Sequence, residues 1–240
     1  MHALSARVAG QFAARGDGEV CAVFKRSFYL RFAAGYTCVG DESIGHGPLN
    51  AIVDDFALRE LGERVALSIG STWSPKRSVG HLDLLALREA ARGRVPAEGL
   101  GCLVAGMHNA LSAHAQPALD AVDEWIAGHS LDSRAEQLIG LGPGLTPSGD
   151  DYLGGVMVAL HLLHRPSQAA SLWRWLEPKL ASRTSAISAA HLAAAATGEA
   201  HEALHDVLHG NLDLDALDAV GHCSGWDALA GSVAVLQRER

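Results

Sequence analysis

The chain has 240 residues, 48% of them hydrophobic and 19% charged, with a formal net charge of -8. That balance describes a globular chain of one or two domains with a sizeable core, and an acidic chain without a basic run is a poor partner for nucleic acid. Its longest apolar stretches, such as Tyr152 to Leu163, are too short to span a bilayer, which excludes a membrane helix.

Strands are expected at Glu19 to Phe24, Ser27 to Phe32, Tyr36 to Val39, Leu49 to Val53 and Arg64 to Ile69, several of them separated by Gly or charged turn residues. The texture then turns to alanine and leucine at helical spacing. Helices are expected at Asp83 to Arg92, Cys102 to Ala113, Pro117 to Ala127, Asp132 to Gln137, Asp151 to His164, Gln168 to Ala181, Ser185 to Thr197, Ala200 to Leu208, Leu214 to Val220 and Trp226 to Gln237. The expected class is therefore α+β, with a small N-terminal β-sheet or barrel-like part (1–77) packed on a larger helical bundle (78–240). The segment Ser71 to Ser78 between them is short enough to be an ordered loop. Four scattered cysteines (Cys21, Cys38, Cys102, Cys223), none in a Cys-x-x-Cys pair, point to reduced thiols rather than a disulfide framework or a zinc cluster. Residues 1–15 lack the hydrophobic core of an export signal, so the cytoplasm is the expected compartment.

The most informative segment is Gly140-Leu-Gly-Pro-Gly-Leu-Thr-Pro-Ser-Gly-Asp-Asp-Tyr-Leu-Gly-Gly155, a glycine- and proline-studded loop running into an apolar helix. Gly140, Gly142 and Gly144 free the backbone for positive φ and for close approach of a ligand, while Pro143 and Pro147 stiffen it. Thr146 and Ser148 place hydroxyls beside the amides of a helix start, an arrangement that receives phosphate or carboxylate groups. Asp150 and Asp151 would repel a bare anion, so Mg2+, a cationic group or a polar amide of the ligand would have to share the site. The bland alternative is a capped helix after a turn. The loop is neither a Walker A sequence nor a dinucleotide fingerprint, lacking the ending of the first and the spacing of the second.

A second copy of the pattern Ser-Gly-x-Asp-x-Leu-x-Gly occupies Ser224 to Gly231, again after a turn glycine, Gly221. Two such helix starts facing each other would make Asp151 and Asp227 equivalent residues of one pocket. Coincidence among common residues is the competing reading.

The glycine loop, with Arg183-Thr-Ser-Ala-Ile-Ser188, the Ala194 to Glu199 segment and Val220-Gly-His-Cys-Ser-Gly-Trp-Asp227, resembles the AllH family in order and spacing, across most of the chain. Gly45 to Asn50 and the rest of the β-rich part are similar only in general character. Cys223 stands where that family would have Thr or Ser. The resemblance implies a subunit of oxamate carbamoyltransferase, a multisubunit enzyme of anaerobic allantoin breakdown that moves a carbamoyl group between oxamate and phosphate.

On that reading the substrate is a small anion such as carbamoyl phosphate, phosphate or oxamate, and other subunits are partners. Amides of Gly142 and Gly144 with Thr146 and Ser148 would hold an anionic oxygen, while Asp150 and Asp151 orient the second reactant or carry Mg2+. Ser148, Asp150 and Asp151 are the catalytic candidates. Thr184, Ser188 and His191, on one helical face, and Ser224 with Asp227 are substrate-binding candidates. The motif holds no Arg or Lys, so a cation must come from Arg183 or from a partner subunit. No cofactor is fixed by the sequence, with Mg2+ the one candidate. Alternative functions are a non-catalytic anion or nucleotide sensor and a Mg2+-dependent phosphotransferase. His201, His205 and His209 read as a solvated helix face, Cys223 as a small buried thiol, and Trp173 and Trp175 as packing residues.

Overall fold

The computed structural model describes residues 2–75 and 82–238. Contacts divide the chain into two compact units, 1–76 and 77–240. The expected boundary at 77/78 and the end of the expected linker lie outside the described residues. The α+β class is borne out, with a six-stranded barrel followed by a helical part.

The first unit holds strands β1 (His2–Gly10), β2 (Gly16–Val23), β3 (Ser27–Phe32), β4 (Gly35–Gly40), β5 (Asn50–Ile52) and β6 (Arg64–Trp73), closed in the order β1-β5-β4-β3-β2-β6. β1 pairs parallel with β6 and β4 parallel with β5, and the other pairs are antiparallel. Alternation sends Phe28, Leu30 and Phe32 of β3 inward, where they pack with Val20, Val39, Val65 and Leu67. Small residues make room for these rings: a Cβ at Gly18 would lie 2.7 Å from the Phe32 ring.

β1 was not expected. His2 to Gly10 contains one β-branched residue, Val8, and therefore little intrinsic strand preference. Its conformation comes from pairing on both sides, with Ala9 opposite Ala51 of β5 and Thr72 of β6. The same pairing carries β6 on to Trp73, beyond its expected end at Ile69 and into the segment read as a loop.

The second unit holds α1 (Leu84–Ala91), α2 (Ala110–Ile126), α3 (Ser148–Leu162), α4 (Pro166–Arg183), α5 (Ala186–Ala195), α6 (Glu202–Leu208), α7 (Asp215–Asp218) and α8 (Ser224–Leu236), with 3₁₀ turns at Gly101–Ala105 and Ser133–Leu138. The expected helices at Cys102 to Ala113 and Pro117 to Ala127 are corrected. The first turn of structure ends at Gly106, in the left-handed region at φ 70°, and α2 then runs unbroken through Pro117. Its start is set by a capping box: the Asn109 side chain accepts from the Ser112 amide at 2.9 Å, and the Ser112 hydroxyl accepts from the Asn109 amide at 2.9 Å. Pro117 removes one backbone hydrogen bond from α2 without ending it.

Helices α3 and α8 are buried around most of their circumference, as their largely apolar sequences require. Among the described residues no helix is long and apolar enough to cross a membrane.

Candidate functional site

The two Ser-Gly-x-Asp helices, α3 and α8, lie side by side and parallel, in contact through their glycines. A Cβ at Gly155 would sit 1.8 Å from the Ala228 carbonyl oxygen, and one at Gly231 would sit 1.9 Å from that of Tyr152. Each contact is the counterpart of the other when the two motif copies are superposed, Gly155 on Gly231 and Tyr152 on Ala228. Only glycine permits such close approach of one helix backbone to another.

The repeat reaches further upstream than the sequence suggested. Gly149 faces the Leu138 carbonyl and Gly225 that of Leu217, where a Cβ would lie 2.0 and 2.6 Å from the oxygen. The Gly149 amide donates to Leu141 O at 2.9 Å and the Gly225 amide to Val220 O at 3.3 Å. Gly142, at φ 108°, lies against Ser148, and Gly221, at φ 60°, lies against Ser224. The copies differ in what separates glycine from serine, five residues in the first and two in the second. The five in the first copy, Pro143 to Pro147, bring Thr146 within 3.0 Å of the Ser224 hydroxyl in the other copy.

Side chains cross between the copies in the same symmetric way. The Ser148 hydroxyl lies near enough to Asp227 to favour its charged form, and the Ser224 hydroxyl does the same for Asp151. The two aspartates are thus close enough for the charge of Asp227 to act on Asp151. Burial, then Asp227 and Asp150, push the Asp151 carboxyl well above the usual carboxylate range, the nearby Ser224 hydroxyl opposing them. Its Oδ2 is buried and makes no hydrogen bond. Burial also raises Asp227, to about 6, although Ser148 and the amides of Leu100 and Gly101 favour its charged form. Those amides donate to Asp227 Oδ1 at 2.6 and 2.9 Å. Gly99, at φ 77°, admits the carboxylate, since a Cβ there would lie 2.5 Å from Oδ1.

Asp150, although adjacent to Asp151, belongs to a different cluster. Successive residues of a helix point about 100° apart, and Asp150 is directed to Gly140, Thr184 and Ser188. Its Oδ1 accepts from the Gly140 amide at 2.8 Å, and its Oδ2 accepts from Ser188 Oγ at 2.6 Å and from Thr184 Oγ1. Only 1% exposed, it pins the glycine loop to the start of α5. Asp150 and Asp151 therefore do not converge as a pair, and the close partner of Asp151 is Asp227. Among the described residues no three His, Cys, Asp or Glu side chains form a group able to hold a metal ion.

Thr184 and Ser188 are tied to the loop through Asp150. His191 lies further along α5, its imidazole lowered by burial and by His201 to about 4. Gly144, at φ 96°, is exposed at the loop tip with open space where a Cβ would stand. The Arg183 guanidinium, the expected cation, instead pairs with Glu136 at 2.8 Å. His222 pairs with Glu98 at 3.1 Å in exposed positions, while Cys223 is buried with its thiol raised by burial to about 11. The histidines read as a solvated face are corrected: His205 is 3% exposed and accepts from the Ala200 amide at 3.2 Å, and His201 caps α6 by accepting from the Ala203 amide. Trp173 and Trp175 pack against the helical core.

The Gly99-Leu100-Gly101 turn was missed. Its signal was present as two glycines flanking one residue, just before the expected helix at Cys102, but nothing in the segment marks its amides as donors to a distant carboxylate.

Residues 138–236 match the family model of oxamate carbamoyltransferase subunit AllH. The resemblance read from the glycine loop therefore holds over that stretch, which is less than half of the chain and contains both motif copies, α3 and α8. The β-barrel and the Gly99 to Gly101 turn lie outside the AllH match. No curated protein and no solved structure matches the chain.

Proposed function

We propose that this chain is a subunit of an oxamate carbamoyltransferase-type enzyme, and that its paired helix starts receive a small anionic substrate of the carbamoyl phosphate, phosphate or oxamate kind. The observation that carries the reading is the glycine-to-backbone joining of α3 and α8, which brings Thr146 against Ser224 and sets each first-turn serine near the aspartate of the other copy, within the stretch that matches AllH. Neither helix has a side-chain cap on its first turn, and helix starts of that kind attract negative oxygens. Thr146, Ser148 and Ser224 bring hydroxyls to the same place, each of which would turn its single proton from its present partner to a ligand oxygen.

In this reading Ser148, Ser224 and Asp151 touch the substrate, while Asp227 organises the hydroxyls. Asp150, Thr184 and Ser188 act by holding the loop in shape. Other subunits of the complex complete the site with cationic groups. The free cysteines support a reducing compartment, the cytoplasm.

The test is isothermal titration of the full chain with phosphate, carbamoyl phosphate and oxamate, beside Ser148→Ala, Ser224→Ala and Asp151→Ala. Each serine variant is expected to weaken the preferred ligand by about tenfold, the effect of one hydrogen bond worth about 1.4 kcal/mol. Unchanged affinity in all three variants would remove the site from this position.

A further inference from the structure

Asp151 and Asp227 occupy matching positions on parallel helices, yet their surroundings are unequal. Asp227 Oδ1 takes two backbone amides, at 2.6 and 2.9 Å, and the nearby Ser148 hydroxyl favours its charged form as well. Asp151 has the Ser224 hydroxyl, and its Oδ2 is buried without a hydrogen-bond partner. Donors aimed at a carboxyl stabilise its charged form, and two charges side by side in a buried place repel strongly, so the better-supplied member keeps its charge and the other keeps a proton.

The other titratable groups around the pair do not change this balance. Asp150 on α3 and Glu98, before the Gly99 turn, are acidic; Cys223 is a neutral thiol; His222 acts on Asp227 and ion-pairs with Glu98. Among the described residues no arginine or lysine acts on either carboxyl.

We propose that the pair carries one proton at neutral pH, that this proton resides on Asp151, and that the Asp151 O–H is one of the hydrogen-bond donors the site offers to a ligand oxygen. The donor role rests on the anion-site reading above; the position of the proton does not. A neutral carboxylic acid would do in this acidic place what a lysine does elsewhere, presenting a donor without adding charge. It also gives a use to the buried Oδ2, which as a carboxylate oxygen would be left unsatisfied.

The experiment is infrared spectroscopy of the full chain labelled with 13C at its aspartate carboxyls, where protonated and ionised groups absorb at separate frequencies. At pH 7 the wild type is expected to show a protonated-carboxyl band that Asp151→Asn abolishes. In Asp227→Asn the neighbouring charge is gone, and the band should titrate away at lower pH than in wild type. Phosphate is the binding probe. Wild-type affinity should fall as the band disappears on raising pH, whereas Asp151→Asn, which keeps a donor at this position, should bind without that pH dependence.

Absence of a protonated band at pH 7 in the wild type overturns the proposal, as does a band that survives Asp151→Asn. The expected band with no binding of phosphate, oxamate or carbamoyl phosphate by either form upholds the proton on Asp151 but overturns the donor role and the anion-site reading together. Because the wild-type spectrum and Asp227→Asn each report independently, poor folding of Asp151→Asn does not remove the test.

Discussion

Gly154 and Gly155 are neighbours on α3, and replacing each with alanine is expected to move stability in opposite directions. At Gly154 the new methyl would lie 3.6 Å from Ala195 Cβ and 3.9 Å from Leu192 Cδ2, ordinary contact distances. The helix there gains up to about 1 kcal/mol from losing a glycine. At Gly155 the methyl would lie 1.8 Å from the Ala228 carbonyl oxygen, and backbone cannot swing aside as a flexible side chain would. Helices α3 and α8 would have to separate by well over an ångström. Overpacking of this kind costs about 1 to 3 kcal/mol or more, and the propensity gain of about 1 kcal/mol offsets only part of it. A net loss of about 2 kcal/mol lowers the midpoint of thermal unfolding by roughly 4 to 8 °C for a chain of this size. Tryptophan fluorescence suits the measurement, since four of the five tryptophans (Trp125, Trp173, Trp175, Trp226) lie in the helical unit. Equal stabilisation by both alanines would refute the close parallel pairing of α3 and α8, and with it the joining of the two helix starts.

Asp150→Ala should destabilise the helical unit by about 2 to 4 kcal/mol in chemical denaturation, because the Gly140 amide and the Thr184 and Ser188 hydroxyls lose a charged acceptor; a loss below 1 kcal/mol would mean that the cluster is not formed. His191 and Asp227 act oppositely on stability below neutral pH. His191, lowered from 6.5 to about 4, favours the folded state above pH 6.5 and withdraws that stability as pH falls toward 4. Asp227, raised from 3.8 to about 6, favours the folded state below pH 3.8 and withdraws its share as pH rises toward 6. Between pH 4 and 6, His191→Gln should therefore make stability fall more steeply with rising pH, and Asp227→Asn should make it rise more steeply, as urea midpoints would show; identical slopes in the two variants would contradict both assignments. Alkylation at pH 8 followed by mass spectrometry should find Cys21 modified ahead of Cys38 and Cys223, since Cys21 is partly exposed while the other two are buried with thiols near 11. Faster modification of Cys223 would mean that the turn before α8 opens in solution.

The sequence by itself determined the elements whose local signals agree with their surroundings. Alternation placed β3 at Ser27 to Phe32, apolar spacing placed α4 and α8 to within a few residues, and the two Ser-Gly-x-Asp copies marked both helix starts. Where a residue's conformation depends on a distant partner, only the tertiary structure decided. β1 is a strand because β5 and β6 flank it, and His205 is buried because α6 packs into the core, neither of which spacing along one segment can express. The same division runs through the candidate site. Adjacent Asp150 and Asp151 look like a pair on paper, but successive residues of a helix point in different directions, so one pins a loop and the other meets Asp227 from 76 positions along the chain. The donors that hold Asp227 are backbone amides of Leu100 and Gly101, groups every residue owns and no sequence pattern distinguishes. Side-chain chemistry was legible from the sequence; which carboxyls share a charge, and which amides restrain it, was fixed by how closely the glycines of α3 and α8 let two backbones approach.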